Sequence, residues 1–121
     1  MKTLHAMVVA ATLAAGALFS SQALAHASLK VSEPPAGATV AAPKEIALTF
    51  NEKVEAAFSG ITLADGGGKP VAVGKAQVDG ANPAILRLGL PLLAPGAYTV
   101  SWAAAGRDGH RRKGEFTFTV K

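Results

Sequence analysis

The sequence predicts an all-β domain over residues 26–121, an immunoglobulin-like sandwich of about seven strands in Greek-key order. Two observations point there. Apolar residues recur at every second position in several short windows, and no window sustains a 3.6-residue period. Turn-forming clusters punctuate those windows at short intervals. The chain has no cysteine, so the sandwich would lack the inter-sheet disulfide of antibody domains.

In chain order, the first strand lies near Ser28–Ser32 and runs into the turn Pro34-Pro35-Ala36-Gly37. Ile46, Leu48 and Phe50 alternate with Ala47 and Thr49 and mark a strand from Lys44 to Phe50. Ile61 and Leu63 give the next strand, closed by Asp65-Gly66-Gly67-Gly68, and Val71 and Val73 give another. Asp79-Gly80-Ala81-Asn82-Pro83 then turns the chain into Leu86, Leu88 and Leu90. After Ala94-Pro95-Gly96, Tyr98, Val100 and Trp102 alternate with Thr99 and Ser101; in the last strand Phe116, Phe118 and Val120 alternate with two threonines. Both sheets are expected to be antiparallel. Phe50, Phe58, Tyr98, Trp102, Phe116 and Phe118 are expected in the core, because an aromatic on the buried side of a strand is ordinarily packing. The chain shows no repeat, low-complexity tail or internal domain boundary.

Residues 1–25 read as a removable signal peptide. Met1-Lys2-Thr3-Leu4-His5 precedes an alanine-rich apolar run, Ala6 to Phe19, of 14 residues. That is short of the roughly 18–20 that cross a bilayer as a helix. Ser20-Ser21-Gln22 breaks the run, and Ala23-Leu24-Ala25 is the small-x-small pattern a signal peptidase reads. A cut after Ala23, or retention as an anchor, are the alternatives. The expected cut after Ala25 exports the protein, in a bacterial cell to the periplasm, and makes His26 the first residue. What remains is 96 residues, too few for two ordinary domains, and loss of Lys2 takes the net charge from +4 to +3.

The remaining donors bound the chemistry. Without cysteine there is no disulfide framework, thiolate zinc site or iron–sulfur cluster. Both methionines, Met1 and Met7, leave with the signal, and with them any thioether site for a soft metal. Oxygen and nitrogen are left. His5 also leaves, so His26 and His110 are the imidazoles of the mature chain. An N-terminal histidine offers its α-amine and Nδ1 on one residue and closes a six-membered chelate ring. A free α-amine titrates at about pH 7.7–8.0, so a metal can displace its proton near neutral pH. Asp108 and His110 stand two apart in the segment 106–114, so an extended loop brings both side chains to one side. With the His26 chelate they make a mixed nitrogen and oxygen set of about four donors, which suits tetragonal Cu(II), the head of the divalent affinity series. Each signal alone also has a plainer reading: a solvated terminal residue for His26, and a hairpin turn on Asp108-Gly109 that His110 merely follows.

Taken together, His26 after Ala23-Leu24-Ala25, the Pro34-Pro35-Ala36-Gly37 turn, the run Ile46-Ala47-Leu48-Thr49-Phe50-Asn51-Glu52, and Gly96-Ala97-Tyr98-Thr99-Val100-Ser101-Trp102 leading to Asp108-Gly109-His110 resemble the CopC family of periplasmic copper-resistance proteins. The resemblance covers essentially all of residues 26–121. It implies a small cupredoxin- or immunoglobulin-like sandwich that binds Cu(II) through His26 (amine and Nδ1), a carboxylate oxygen of Asp108 and an imidazole nitrogen of His110. Glu52 falls where some members have an acidic residue near the copper, as an outer or weak ligand; the alternative is a solvated glutamate at a strand end. Some members carry a methionine-rich loop for Cu(I), which this mature chain lacks, so the resemblance is to the type with a Cu(II) site alone. Members commonly have proline after the D-x-H motif, whereas Arg111-Arg112-Lys113 stands here. That basic turn is either solvated or a lure for an anion or acidic partner.

The function expected is therefore binding of one Cu(II) in the periplasm for copper resistance and homeostasis, without catalytic turnover. The copper would be sequestered or delivered to an inner-membrane copper transporter of the CopD type. The chain is expected to be a monomer. Nucleic acid is not an expected partner, since +3 with export and no aromatic–basic stripe supports none. Two readings of other classes stand beside it. One is a copper enzyme with a histidine brace resembling that of lytic polysaccharide monooxygenases, against which stand the small size and a carboxylate ligand that makes reduction harder. The other is a metal-free immunoglobulin-like interaction module.

Overall fold

The computed structural model describes residues 27–121; the expected signal peptide and His26 lie outside the described residues. Within them, period-two alternation becomes eight strands: β1 (Leu29–Glu33), β2 (Thr39–Val40), β3 (Glu45–Phe50), β4 (Gly60–Asp65), β5 (Gln77–Val78), β6 (Ile85–Gly89), β7 (Gly96–Ala105) and β8 (Arg111–Val120). They form two four-stranded sheets, β1-β3-β6-β5 and β2-β8-β7-β4. Only β5–β6 and β7–β8 are consecutive neighbours within a sheet; every other connection crosses between the sheets.

The alternating apolar residues face one another across the sandwich. Ile46, Leu48 and Phe50 from β3 and Leu86 and Leu88 from β6 meet Ile61 and Leu63 from β4, Val100 from β7, and Phe118 and Val120 from β8, all buried. Full burial of such an aliphatic or aromatic side chain contributes about 1.5–3 kcal/mol relative to exposure. Tyr98 stacks on Phe118 with centroids 5.7 Å apart, and its hydroxyl donates to the Ala94 carbonyl at 2.7 Å, as in the tyrosine corners of sandwich domains.

Several expectations are corrected. Val71 and Val73 do not make a strand. Asp65 Oδ1 accepts the N–H groups of Gly67 and Lys69 in a tight turn, and the returning chain meets β4 at the Ala64–Pro70 bridge, flanked by one bond from Asp65 N–H to the Lys69 carbonyl and one from Val71 N–H to the Leu63 carbonyl. Beyond Val71 the chain leaves β4, too short a pairing to count as a strand, and it pairs next at Gln77–Val78, in the other sheet. The sheets are not wholly antiparallel, because β2 lies parallel to the end of β8 through Thr39–Thr119 and Val40–Val120. Phe58 is 57% exposed, since it sits on a 3-10 turn (Ala56–Phe58) and not on the inner face of a strand. Trp102 and Phe116 are only half-buried, at the margin of the core.

The longest pair ends at the loop that carries Asp108 and His110. β7 and β8 are ten residues each and stay in register from Gly96–Val120 to Ala105–Arg111. Their far end carries the connecting loop 106–110, in which Gly106 is buried and residues 107–110 are exposed.

Candidate metal centre

The loop between β7 and β8 is held by its own backbone before any side chain acts. Gly109 N–H donates to the Gly106 carbonyl at 3.1 Å, closing a turn with Arg107 and Asp108 at its centre. Gly109 has φ +78°, a left-handed conformation that glycine supplies without a Cβ clash. This geometry folds Asp108 and His110 onto one another. Asp108 Oδ1 accepts the His110 backbone N–H at 3.1 Å, and Oδ2 lies 3.0 Å from His110 Nδ1. The imidazole is 70% exposed and the carboxylate 35%. A neutral ring whose Nδ1 donates to a carboxylate carries its lone pair on Nε2, the arrangement by which carboxylates orient metal-binding histidines. A carboxylate has about four lone-pair sites, so Asp108 can hold His110 and still offer oxygen to a cation.

Glu52 arrives at this loop from another direction. It follows β3, and its side chain lies against Gly106, where an added Cβ would come within 2.8 Å of the Glu52 carboxyl carbon. Gly106 is buried, and the Glu52 carboxyl lies in the space that a Cβ at 106 would occupy. Lys53 and Arg107 flank Glu52 in a shallow cleft. Glu52 is partly solvated and sits at the root of the D-G-H loop.

The start of the described chain is fastened beside Glu52. Ser28 N–H donates to Asn51 Oδ1 at 2.7 Å, and Asn51 N–H donates to the Ser28 carbonyl at 3.0 Å. Ala27 is wholly buried in the core. A continuous path therefore runs from Ala27 and Ser28 through Asn51 and Glu52 to Gly106, two residues before Asp108. The segment after Glu52 is laced to the same strand end, with Glu55 N–H on the Ala105 carbonyl at 2.8 Å and Ala105 N–H on Ser59 Oγ at 3.2 Å.

Of the residues singled out in the sequence, Asp108 and His110 are brought into contact, Glu52 is placed at the base of their loop, and His26 lies outside the described residues. Among the described residues no group of three or more histidine, cysteine or acidic side chains could hold a metal ion. Sequence reasoning missed two residues. Asn51 ties the N-terminal segment to this end, and the signal available was a polar residue at a strand end beside Glu52. Gly106 seats the Glu52 carboxyl, and nothing local in the sequence marks that contact.

The family model of the CopC domain matches residues 29–121. The chain belongs to the CopC family. It is 37% identical over 128 aligned positions to copper resistance protein C of Escherichia coli, with both chains covered in full. Its structure resembles CopC from Methylosinus trichosporium OB3b, with a TM-score of 0.74, 38% identity, and 79% of this chain and 94% of that one covered. It also resembles PcoC, a methionine-rich copper resistance protein from Escherichia coli, with a TM-score of 0.73, 38% identity, and 80% and 100% covered. CopC proteins bind copper and act in copper resistance; they are not enzymes, which removes the oxygenase reading. In contrast to the methionine-rich relative, residues 27–121 of this CopC chain contain neither methionine nor cysteine. Soft sulfur donors are absent from this part of the sequence.

Proposed function

We propose that this protein is exported to the periplasm, cut after Ala25, and there binds one Cu(II) for copper resistance and homeostasis. His26 supplies its amine and Nδ1, His110 an imidazole nitrogen and Asp108 a carboxylate oxygen, with Glu52 as an outer or weak ligand. The observation that carries this reading is the Asp108–His110 clasp, standing at the end of the sandwich where Ala27 and Ser28 are anchored. Position 26 is one peptide from a fixed point, since successive Cα atoms lie about 3.8 Å apart. A terminal chelate on a buried anchor loses little freedom when it closes on a metal. The donor set favours Cu(II) over Cu(I) and leaves no sulfur site between which copper could shuttle. The protein works as a monomer that lowers free copper or passes it to an inner-membrane transporter of the CopD type.

The test is titration of the exported protein with Cu(II), followed by electron paramagnetic resonance. One equivalent should bind with a tetragonal signal carrying nitrogen couplings. One extra residue ahead of His26, or His110→Ala, should abolish tight binding, and Asp108→Asn should weaken it by about 10–100-fold. Tight one-to-one binding that survives the extension and His110→Ala overturns the assignment.

A further inference from the structure

β1 and β3 run antiparallel with Leu29 opposite Phe50, which sets Ser28 opposite Asn51. In a regular ladder two residues so placed exchange both main-chain hydrogen bonds. One half of the exchange is regular here, since Asn51 N–H donates to the Ser28 carbonyl at 3.0 Å. The other half comes from a side chain, because Ser28 N–H donates to Asn51 Oδ1 at 2.7 Å. The amide oxygen thus replaces a main-chain carbonyl, and the chain bends at Asn51 and Glu52 instead of continuing the ladder. Glu52 turns to Gly106, at the base of the D-G-H loop. Ser28 meanwhile stays held at both its N–H and its carbonyl, and Ala27 ahead of it is wholly buried. One side chain lets two strands part company while keeping the first of them fixed.

We infer that Asn51 is a positioning residue of the proposed copper site: its amide oxygen fixes the Ser28 N–H, and with it the direction in which the chain leaves toward His26. This role rests on the His26 chelate proposed above and deepens it. A terminal residue on a loose strand end must be ordered each time it closes on a metal. On a fixed end its donors are gathered beforehand, and that ordering is no longer drawn from the binding. The main-chain bond from Asn51 to Ser28 and the burial of Ala27 do not need the amide, so a variant without it should still fold.

Asn51→Ala in the exported protein is the first test. Without copper, the Ser28 amide should exchange about fivefold faster, the effect of losing one ordinary hydrogen bond. Asn51→Asp keeps an oxygen acceptor in place and should restore the protection. Titration with Cu(II) against a competing chelator should show affinity lowered by about 10–100-fold in Asn51→Ala, as when a group that orients a metal ligand is lost. Asn51→Gln carries its oxygen one methylene farther out and should lose affinity in the same direction. Val120→Ala removes core volume at the opposite end of β8 from His110. It should lower the melting temperature at least as far as Asn51→Ala, yet change copper affinity less than about twofold. The deciding measurement repeats Asn51→Ala in a protein extended by one residue ahead of His26. The terminal amine is no longer on His26 there, so the substitution should change the residual affinity less than about twofold. An extension that leaves copper affinity intact removes the His26 chelate, and the role of Asn51 with it. Where the extension does weaken binding, the role of Asn51 alone is overturned by Asn51→Ala binding copper as tightly as the unaltered protein. Equal losses from Asn51→Ala with and without the extension, or an equal loss from Val120→Ala, overturn it as well.

Discussion

Gly106 and Glu52, far apart along the chain, meet in one volume. The Glu52 carboxyl fills the space beside the Gly106 Cα, so any side chain at 106 must displace it or push the D-G-H loop outward. Glu52 is a flexible, partly solvated side chain that can swing aside, so Gly106→Ala should destabilise the fold by no more than about 1 kcal/mol, the low end of the cost of overpacking. The loss should be largely recovered in Gly106→Ala with Glu52→Ala, because the two sites share one volume and their effects cannot add. Thermal or urea unfolding of the two single variants and the double variant measures this directly. Strict additivity would show that the loop does not rest on Glu52. The same pair explains what could be read from the sequence about the site. Asp108 and His110 were legible because their contact is made within a single turn, where spacing and the Asp-Gly pair determine geometry. The seat of Glu52 was not, because it depends on how β3 and β7 end in space.

Among the elements, the long strands were legible and the short ones were not. β3, β4, β6, β7 and β8 each carry apolar residues at alternate positions facing a common core, a signal that survives in the sequence because one face must be dry. β2 and β5 have two residues each, too few for any period, and are defined by their neighbours β8 and β6. Around β5 and β6 the outer face of the sheet is organised by Arg87, which donates from Nε to Asp79 at 2.8 Å and from Nη1 to Glu45 at 2.7 Å. The Arg87 bond, and then the backbone N–H groups of Asn82 and Ala81, hold the Asp79 carboxyl below the usual carboxylate range. A carboxyl whose pKa is lower folded than unfolded adds stability above its unfolded value, about 3.9, and loses it as the pH falls through the folded value. Asp79→Asn keeps an oxygen for the turn at Ala81 and Asn82 but removes the charge. It should lower the melting temperature modestly near neutral pH, as exposed ion pairs do. The gap from the unaltered protein should shrink steadily below about pH 4. An equal gap at pH 7 and pH 2 would assign the effect to the turn and not to the charge.

At the scale of the whole molecule, the proposed copper site and the fold share the same few anchors. Ala27 belongs to the core, Ser28 is tied to Asn51, and the D-G-H loop is the end of the β7–β8 ladder. Unfolding separates all three, so the proposed ligand set exists only in the folded state and copper should stabilise it by mass action. At free Cu(II) one hundred times the dissociation constant the gain is about 2.7 kcal/mol. In a domain of this size that raises the melting temperature by roughly 10–20 °C, less whatever copper binds to the unfolded chain. The chelate adds a sharper condition. A protein extended by one residue ahead of His26 retains every anchor in the described fold, and should melt at the same temperature without copper. It should gain little when copper is added, because its terminal amine is no longer on His26. Differential scanning calorimetry of both proteins, with and without Cu(II), separates the outcomes. Equal copper-dependent shifts would mean that the D-G-H loop and Glu52 hold the metal without the terminus, and the role given to His26 would have to be withdrawn.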